Sequence, residues 1–153
     1  MRTAYRVLAL VIAAEVAIQA AAIAYAVFGL TTWVDGGGVL DKATIESESV
    51  DFTGAGGFPL HGINGEMVFP LLVIVLLVLS FFAKVPKGVM WAGITLGLTA
   101  LQILFGIFGH ALPFLGILHG LNALLIFGVA VMAAMAARGP AHVGAHTAAS
   151  TTG

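Results

Sequence analysis

The chain has 153 residues, of which 60% are hydrophobic and 8% charged, and its formal net charge is −1. A mean hydropathy of +1.09 leaves too little polar surface for an ordinary soluble domain and predicts a lipid bilayer as its environment. Cysteine is absent, which excludes disulfides and thiolate metal sites and leaves histidine to carry any metal chemistry.

Four apolar stretches are long enough to cross a bilayer as helices, since a hydrocarbon core of about 30 Å takes about 20 helical residues. They are residues 7–30, 61–83, 88–110 and 114–137. Helices are expected because lipid offers no partner to an open backbone, and the runs lack the alternation of barrel strands. The predicted fold is all-α, an integral membrane four-helix bundle within residues 1–138.

The first span carries Glu15 and Gln19 within an otherwise apolar run. The cations Arg2 and Arg6 and the alanines near position 20 also fit a cleaved signal peptide. However, the run is about twice as long as an ordinary signal-peptide core, and its polar pair suits a bundle interior. These features favour a membrane span.

The long connection 31–60 is acidic, and its polar centre predicts a short helix near 43–49. Its acids are Asp35, Asp41, Glu46, Glu48 and Asp51, against the single cation Lys42. This composition is typical of a solvated loop, which we expect to lie on the outer face as a lid over the site.

Five of the six cations flank the other ends of the spans: Arg2, Arg6, Lys84, Lys87 and Arg138. The positive-inside rule therefore predicts a multi-pass protein of the plasma membrane with both termini cytoplasmic. The tail 139–153, rich in Ala, Gly, Ser and Thr, is predicted to be disordered, and its His142 and His146 to be incidental.

A short pattern occurs twice, 58 residues apart: His61-Gly62-Ile63-Asn64 and His119-Gly120-Leu121-Asn122, followed by Phe69 and Phe127. Ala17-Ile18-Gln19 in the first span likewise has a counterpart in Ala100-Leu101-Gln102 in the third. The two matches predict a pseudo-twofold internal repeat, in which helices 1 and 2 correspond to helices 3 and 4 about an axis along the membrane normal.

The paired histidines predict a cofactor site between facing helices, because haem iron is commonly held by histidine and bundle interiors build such sites. We expect His61 and His119 to be the axial ligands of one b-type haem. Other residues predicted to line the site are the small Gly62, Gly65 and Gly120, the packing Phe69 and Phe127, and Asn64 and Asn122, each positioned to hydrogen-bond an imidazole or a propionate.

Two further polar residues are assigned to the same layer. His110 ends the third span at nearly the depth of the paired histidines, as a propionate partner, a proton-relay group or an interfacial residue. Glu66 lies near the start of the second span, where a carboxylate usually marks a function or a pairing. It is a candidate to take a proton coupled to iron reduction or to contact a quinol, and neutral packing is the alternative.

Electron transfer follows from this ligation, because both axial positions of the iron would be filled. Candidate partners are a quinone, a respiratory-chain protein and a second copy of the chain. Five alternatives stay open: a haem carrier, a haem-dependent oxidoreductase, a proton-linked transporter, a structural subunit, and a zinc or copper site of His61, His110 and His119. No nucleotide-binding loop, hydrolase triad or basic nucleic-acid patch is visible, which disfavours those functions.

The run Leu101-Gln102-Ile103-Leu104-Phe105-Gly106 resembles the glutamine-and-glycine stretch of the haem A synthase family. Halves of those enzymes are four-helix bundles with a histidine at the outer end of the second and fourth helices, which His61 and His119 match. The chain also resembles a family of small four-span bacterial membrane proteins of unassigned function, through its His-Gly-x-Asn element and its Phe81-Phe82-Ala83-Lys84-Val85-Pro86 turn.

The chain departs from the synthase pattern in two respects. It supplies four spans instead of eight, and Leu60 and Gly62 flank His61 where the enzymes have a Glu-x-x-His-Arg pattern. Synthase activity is therefore expected only if two copies associate, and the resemblance implies the fold and the histidine ligands more strongly than the reaction.

Overall fold

The computed structural model describes residues 1–47 and 50–138. All regular elements within them are helical: α1 (Arg2–Asp35), α2 (Lys42–Ser47), α3 (Gly57–Ile63), a π-helical segment (Asn64–Val68), α4 (Phe69–Ser80), α5 (Gly88–Gly109) and α6 (Leu115–Ala136). The predicted disordered tail, with His142 and His146, lies outside the described residues.

Four helices are long and apolar enough to cross a membrane: α1, the second span Gly57–Ser80, α5 and α6. The second span consists of α3, the π-helical segment and α4 in direct succession. Length and composition thus support a multi-pass membrane protein in a lipid bilayer. The helices extend beyond some predicted ends, since α1 covers Arg2–Asp35 and the second span begins before His61.

Two prolines account for the shape of the second span. Pro59 lies in the first turn of α3, where its missing N–H leaves no intrahelical bond unmade, so the helix starts at Gly57. Pro70 cannot donate to the carbonyl four residues earlier, that of Glu66, and its ring crowds that carbonyl. The helix widens to π geometry over Asn64–Val68, immediately before this proline.

The four long helices form a ring in chain order. α1 packs against the second span and against α6, while α5 packs against α4 and α6. Consecutive spans are therefore neighbours, and the second span and α6 lie diagonally opposite each other across the bundle axis. His61 and His119 are carried by this diagonal pair.

The packed core lies toward one end of the bundle, which we call the closed end and which holds the start of α1, the turn 81–87 and the end of α6. Its buried residues are Tyr5, Ala9, Ile12, Ala13, Phe69, Val73, Leu76, Ala83, Val85, Ala92, Ile126, Ala130, Ala133, Ala134 and Ala137. The many alanines allow the close approach that drives helix association in lipid. The Tyr5 hydroxyl donates to the carbonyl of Gly88 at 3.0 Å and ties α1 to the start of α5.

The opposite end, the open end, has little core. In the described part of the chain, no residue of α5 after Thr99 and none of α6 before Asn122 is buried. The buried residues that remain at this end are Ala22 and Ala26 of α1 and Gly57 of α3.

The connection between α1 and α3 contains the short helix predicted near 43–49, observed as α2. Asp41 precedes it, and the backbone N–H of Thr44 donates to its Oδ1 at 2.8 Å, which lowers the pKa of the Asp41 carboxyl. Farther along, Phe52 stacks on Trp33 with ring centroids 6.1 Å apart, and Gly54 lies against the carbonyl of Tyr25. This part of the predicted lid therefore packs along α1.

Candidate functional site

His61 is the fifth residue of α3 and lies beside the middle of α1. Its Nδ1 is 3.1 Å from the carbonyl oxygen of Gln19. A carbonyl oxygen only accepts hydrogen bonds, so Nδ1 carries the proton of the neutral ring and Nε2 keeps its lone pair. Anchoring one ring nitrogen on a carbonyl while the other stays free is the usual arrangement of a metal-binding histidine.

His119 has the same arrangement on the other side of the bundle. It is the fifth residue of α6, and its Nδ1 lies 3.0 Å from the carbonyl oxygen of Gln102 in α5. Gly106, one turn farther along α5, faces the ring, because a Cβ at that position would lie 3.4 Å from His119 Cε1. Both histidines thus offer Nε2, and no side chain or backbone group of the described residues hydrogen-bonds to either Nε2.

The two imidazole rings lie close together. Their centroids are 6.0 Å apart and their planes are inclined by 61°. Metal bonds to imidazole nitrogen are about 2 Å long, so two rings on opposite sides of one metal atom have centroids about 6 Å apart. The observed separation is therefore compatible with two imidazoles sharing one metal atom.

Asn64 belongs to a polar cluster on the His61 side of the bundle. Its side-chain amide donates to the Glu15 carboxylate, to which Gln19 Nε2 also donates at 3.3 Å. Gln19 Oε1 is buried without a hydrogen-bond partner in the described residues and lies beside Gly65, where an added Cβ would be 3.4 Å away. Asn64 therefore bonds to a carboxylate of α1 instead of to an imidazole.

Asn122 occupies the matching position beside His119 and is 5% exposed. Its Nδ2 donates to the carbonyl of Leu98 at 2.9 Å and to Gln102 Oε1 at 2.7 Å. This amide, too, bonds to the neighbouring helix and not to an imidazole. It joins α6 to α5 next to the carbonyl that holds His119.

We expect Asn122→Leu to destabilise the protein by about 1–2 kcal/mol, since two interhelical hydrogen bonds are lost and Gln102 Oε1 is left unpaired. The thermal midpoint of the detergent-solubilised protein measures this effect. Leu124→Ala is the control, because Leu124 lies on the same helix and is 67% exposed. A midpoint for Asn122→Leu equal to that of the control would contradict the assignment.

The other predicted site residues are distributed around this layer. An added Cβ on Gly62 or Gly120 would meet nothing within 4 Å, so both face open space. Phe69 is buried in the core, whereas Phe127 is 43% exposed. Their common position in the repeated pattern therefore does not give them a common environment.

His110 and Glu66 are both exposed. Neither side chain hydrogen-bonds or forms an ion pair with another described residue. Within the described part of the chain, no group of three or more His, Cys, Asp or Glu side chains could hold a metal ion. The three-histidine zinc or copper site considered from the sequence is therefore not formed there.

Three contributors to the site were not predicted from the sequence. They are the backbone carbonyls of Gln19 and Gln102, the close packing of Gly106 on His119, and Glu15 as the acceptor for Asn64. The repeated Ala-x-Gln element marked the two glutamines, and Glu15 lies one helical turn before Gln19. The sequence thus carried a signal for the glutamine carbonyls and for Glu15, and none was identified for the packing of Gly106 on His119.

Comparison with protein-family models, with curated proteins and with solved structures gives no match.

Proposed function

We propose that this protein binds one b-type haem between the second span and α6, with His61 and His119 as its axial ligands, and that it transfers electrons in the membrane. The observation that carries the proposal is the pair of imidazole rings 6.0 Å apart. Each ring is oriented by a backbone carbonyl through Nδ1 and has Nε2 free.

The surroundings of the rings fit a large flat cofactor. Buried side chains are nearly absent from the open end, and Gly62 and Gly120, each next to a histidine, face open space. Glycines at these two positions would let a flat macrocycle approach the backbone closely. A haem group, once bound, accepts and releases one electron at a time.

We further propose that spans one and two repeat spans three and four about a pseudo-twofold axis. The hydrogen bonds support this relation, since His61 and His119 each contact the carbonyl of the glutamine in the preceding span. Asn64 and Asn122, three residues after each histidine, each contact the residue one turn before that glutamine, Glu15 and Leu98.

In this proposal, the residues around the rings have three different roles. His61 and His119 bind the iron, the carbonyls of Gln19 and Gln102 orient them, and the two asparagines hold the helices that carry these carbonyls. A haem held in this way would supply one-electron chemistry, while the residues of this chain would hold and orient it. A quinone or a respiratory-chain protein is the partner class that we propose for this chemistry.

The proposed location is the plasma membrane with both termini cytoplasmic. Arg2, Arg6 and Arg138 adjoin helix ends at the closed end, as do Lys84 and Lys87 in the turn 81–87. The histidine layer would then lie toward the outer face. A second copy of the chain would supply the other half that the resemblance to haem A synthases implies, and size measurement in detergent would reveal it.

The absorption spectrum of the protein, purified from cells with adequate haem supply, tests the proposal. We expect about one haem per chain and, on reduction, the paired sharp bands of six-coordinate low-spin iron. A colourless preparation that also fails to take up added haem would refute it. Transfer of its haem to an acceptor apoprotein within minutes would instead favour a haem carrier.

A further inference from the structure

The turn 81–87 between α4 and α5 is rigidly held at the closed end. Ala83 and Val85 are buried in the core, and Gly88 packs against the side chain of Val85. The Tyr5 hydroxyl bonds to the carbonyl of Gly88 from α1. Lys84 and Lys87 alternate with these buried residues and are exposed.

Both lysines have a left-handed backbone conformation, with φ of 51° at Lys84 and 56° at Lys87. Glycine or asparagine adopts this conformation at lower energetic cost than lysine does. Strained residues of this kind persist where the surrounding structure holds them, and they concentrate at functional positions. Two lysines in such positions of one short turn suggest that their charge is required there.

No carboxylate of residues 1–47 or 50–138 forms an ion pair with Lys84 or Lys87. The ion pair formed within the described residues, Lys42 with Glu46, lies in the loop at the open end of the bundle. The carboxylates of the described residues lie in the loop 31–60, near the histidines or in the middle of α1. Arg2 is engaged differently, because its Nε donates to the carbonyl of Ala137 at 3.2 Å.

Large apolar side chains adjoin the two cations. Phe81 and Phe82 are each 64% exposed and are the first two residues of the turn. Exposed phenylalanines at the end of a membrane helix suit contact with lipid acyl chains, and nearby lysines attract anionic lipid. The turn therefore combines an apolar surface with two exposed positive charges.

We propose that Lys84 and Lys87 bind the phosphate of an anionic phospholipid, whose acyl chains pack against Phe81 and Phe82. The turn holds the backbone of both lysines in place, so only their side chains need to be ordered on binding. This site lies at the end of the bundle opposite the histidines and does not depend on haem binding.

Binding of phosphatidylglycerol to the detergent-solubilised protein, measured by native mass spectrometry, tests the proposal. Phosphatidylcholine and inorganic phosphate serve as the comparison ligands. The Lys84→Gly/Lys87→Gly variant removes both charges while keeping the left-handed backbone, so it should fold with an unchanged or higher thermal midpoint. We expect its dissociation constant for phosphatidylglycerol to rise about 25-fold, or about fivefold per lysine.

Lys42→Gln is the control, since Lys42 is an exposed cation of the other end and should leave this dissociation constant unchanged. The proposal is overturned if the double glycine variant binds phosphatidylglycerol as the unmodified protein does, or if Lys42→Gln weakens binding equally. Equal affinity for phosphatidylcholine would also overturn it. If the unmodified protein binds inorganic phosphate with the same dissociation constant as phosphatidylglycerol, a lipid is excluded as the source of the phosphate.

Discussion

Replacing His61 or His119 by alanine is expected to remove the six-coordinate haem spectrum, with haem content at least about tenfold lower than in the unmodified protein. Each variant would leave the iron with one protein ligand. The two imidazoles lie 6.0 Å apart, and no third histidine is positioned to replace either one in the described structure. Absorption spectra of the oxidised and reduced proteins, with haem quantified per chain, measure the effect.

Two controls make this result specific to ligation. His110→Ala should keep the spectrum, because His110 is exposed and lies outside the ring pair. Added imidazole should restore a six-coordinate spectrum in His61→Ala and His119→Ala, since the lost side chain leaves space for it. If either alanine variant retains the original spectrum and haem content, bis-histidine ligation is wrong.

Substituting Gly57 by alanine should destabilise the bundle by about 1–3 kcal/mol, because the added methyl overlaps packed backbone. Its Cβ would lie 2.3 Å from the carbonyl oxygen of Ala22 and 3.0 Å from the Ala26 Cβ. Neither α1 nor α3 can relieve this overlap by a side-chain rotation. Separation of the two helices should also break the contact of His61 with Gln19, so haem retention should fall as well.

Gly56→Ala provides the matched control for this substitution. Gly56 is adjacent in sequence, has ordinary helical angles, and an added Cβ there would meet nothing within 4 Å. The thermal midpoint and the haem content of both variants are the measurements. Equal values for Gly57→Ala and Gly56→Ala would mean that the α1–α3 contact does not position His61.

Much of the architecture was predictable because long apolar runs in a chain with few charges have one common solution, the membrane helix. All four long helices were located in this way, and the short loop helix was located from the polar centre of the connection 31–60. The start of the second span was not, since the prediction began at residue 61, whereas the helix begins at Gly57 and includes Pro59 in its first turn, where proline is tolerated. The π-helical segment before Pro70 was also missed.

The functional layer was predictable in its residue types and less so in its contacts. His61 and His119 stood out as a pair, and the structure brings their rings together. Asn64 and Asn122 were expected to reach an imidazole or a propionate, yet they bond to Glu15, to Leu98 and to Gln102. An amide satisfies its hydrogen bonds with the nearest polar group, and that group is determined by the packing of the helices.

By itself, the sequence determined the number of long apolar helices and the paired histidine of each half. It also determined that basic residues flank one end of these helices and that acidic residues lie in the loop at the other end. The tertiary structure alone decided which carbonyl holds each imidazole, that Phe69 is buried while Phe127 is exposed, and that the core occupies only the closed end. The physical reason is that lipid and protein interior are equally apolar. In a membrane helix, hydrophobicity therefore does not distinguish the face that packs from the face that meets lipid.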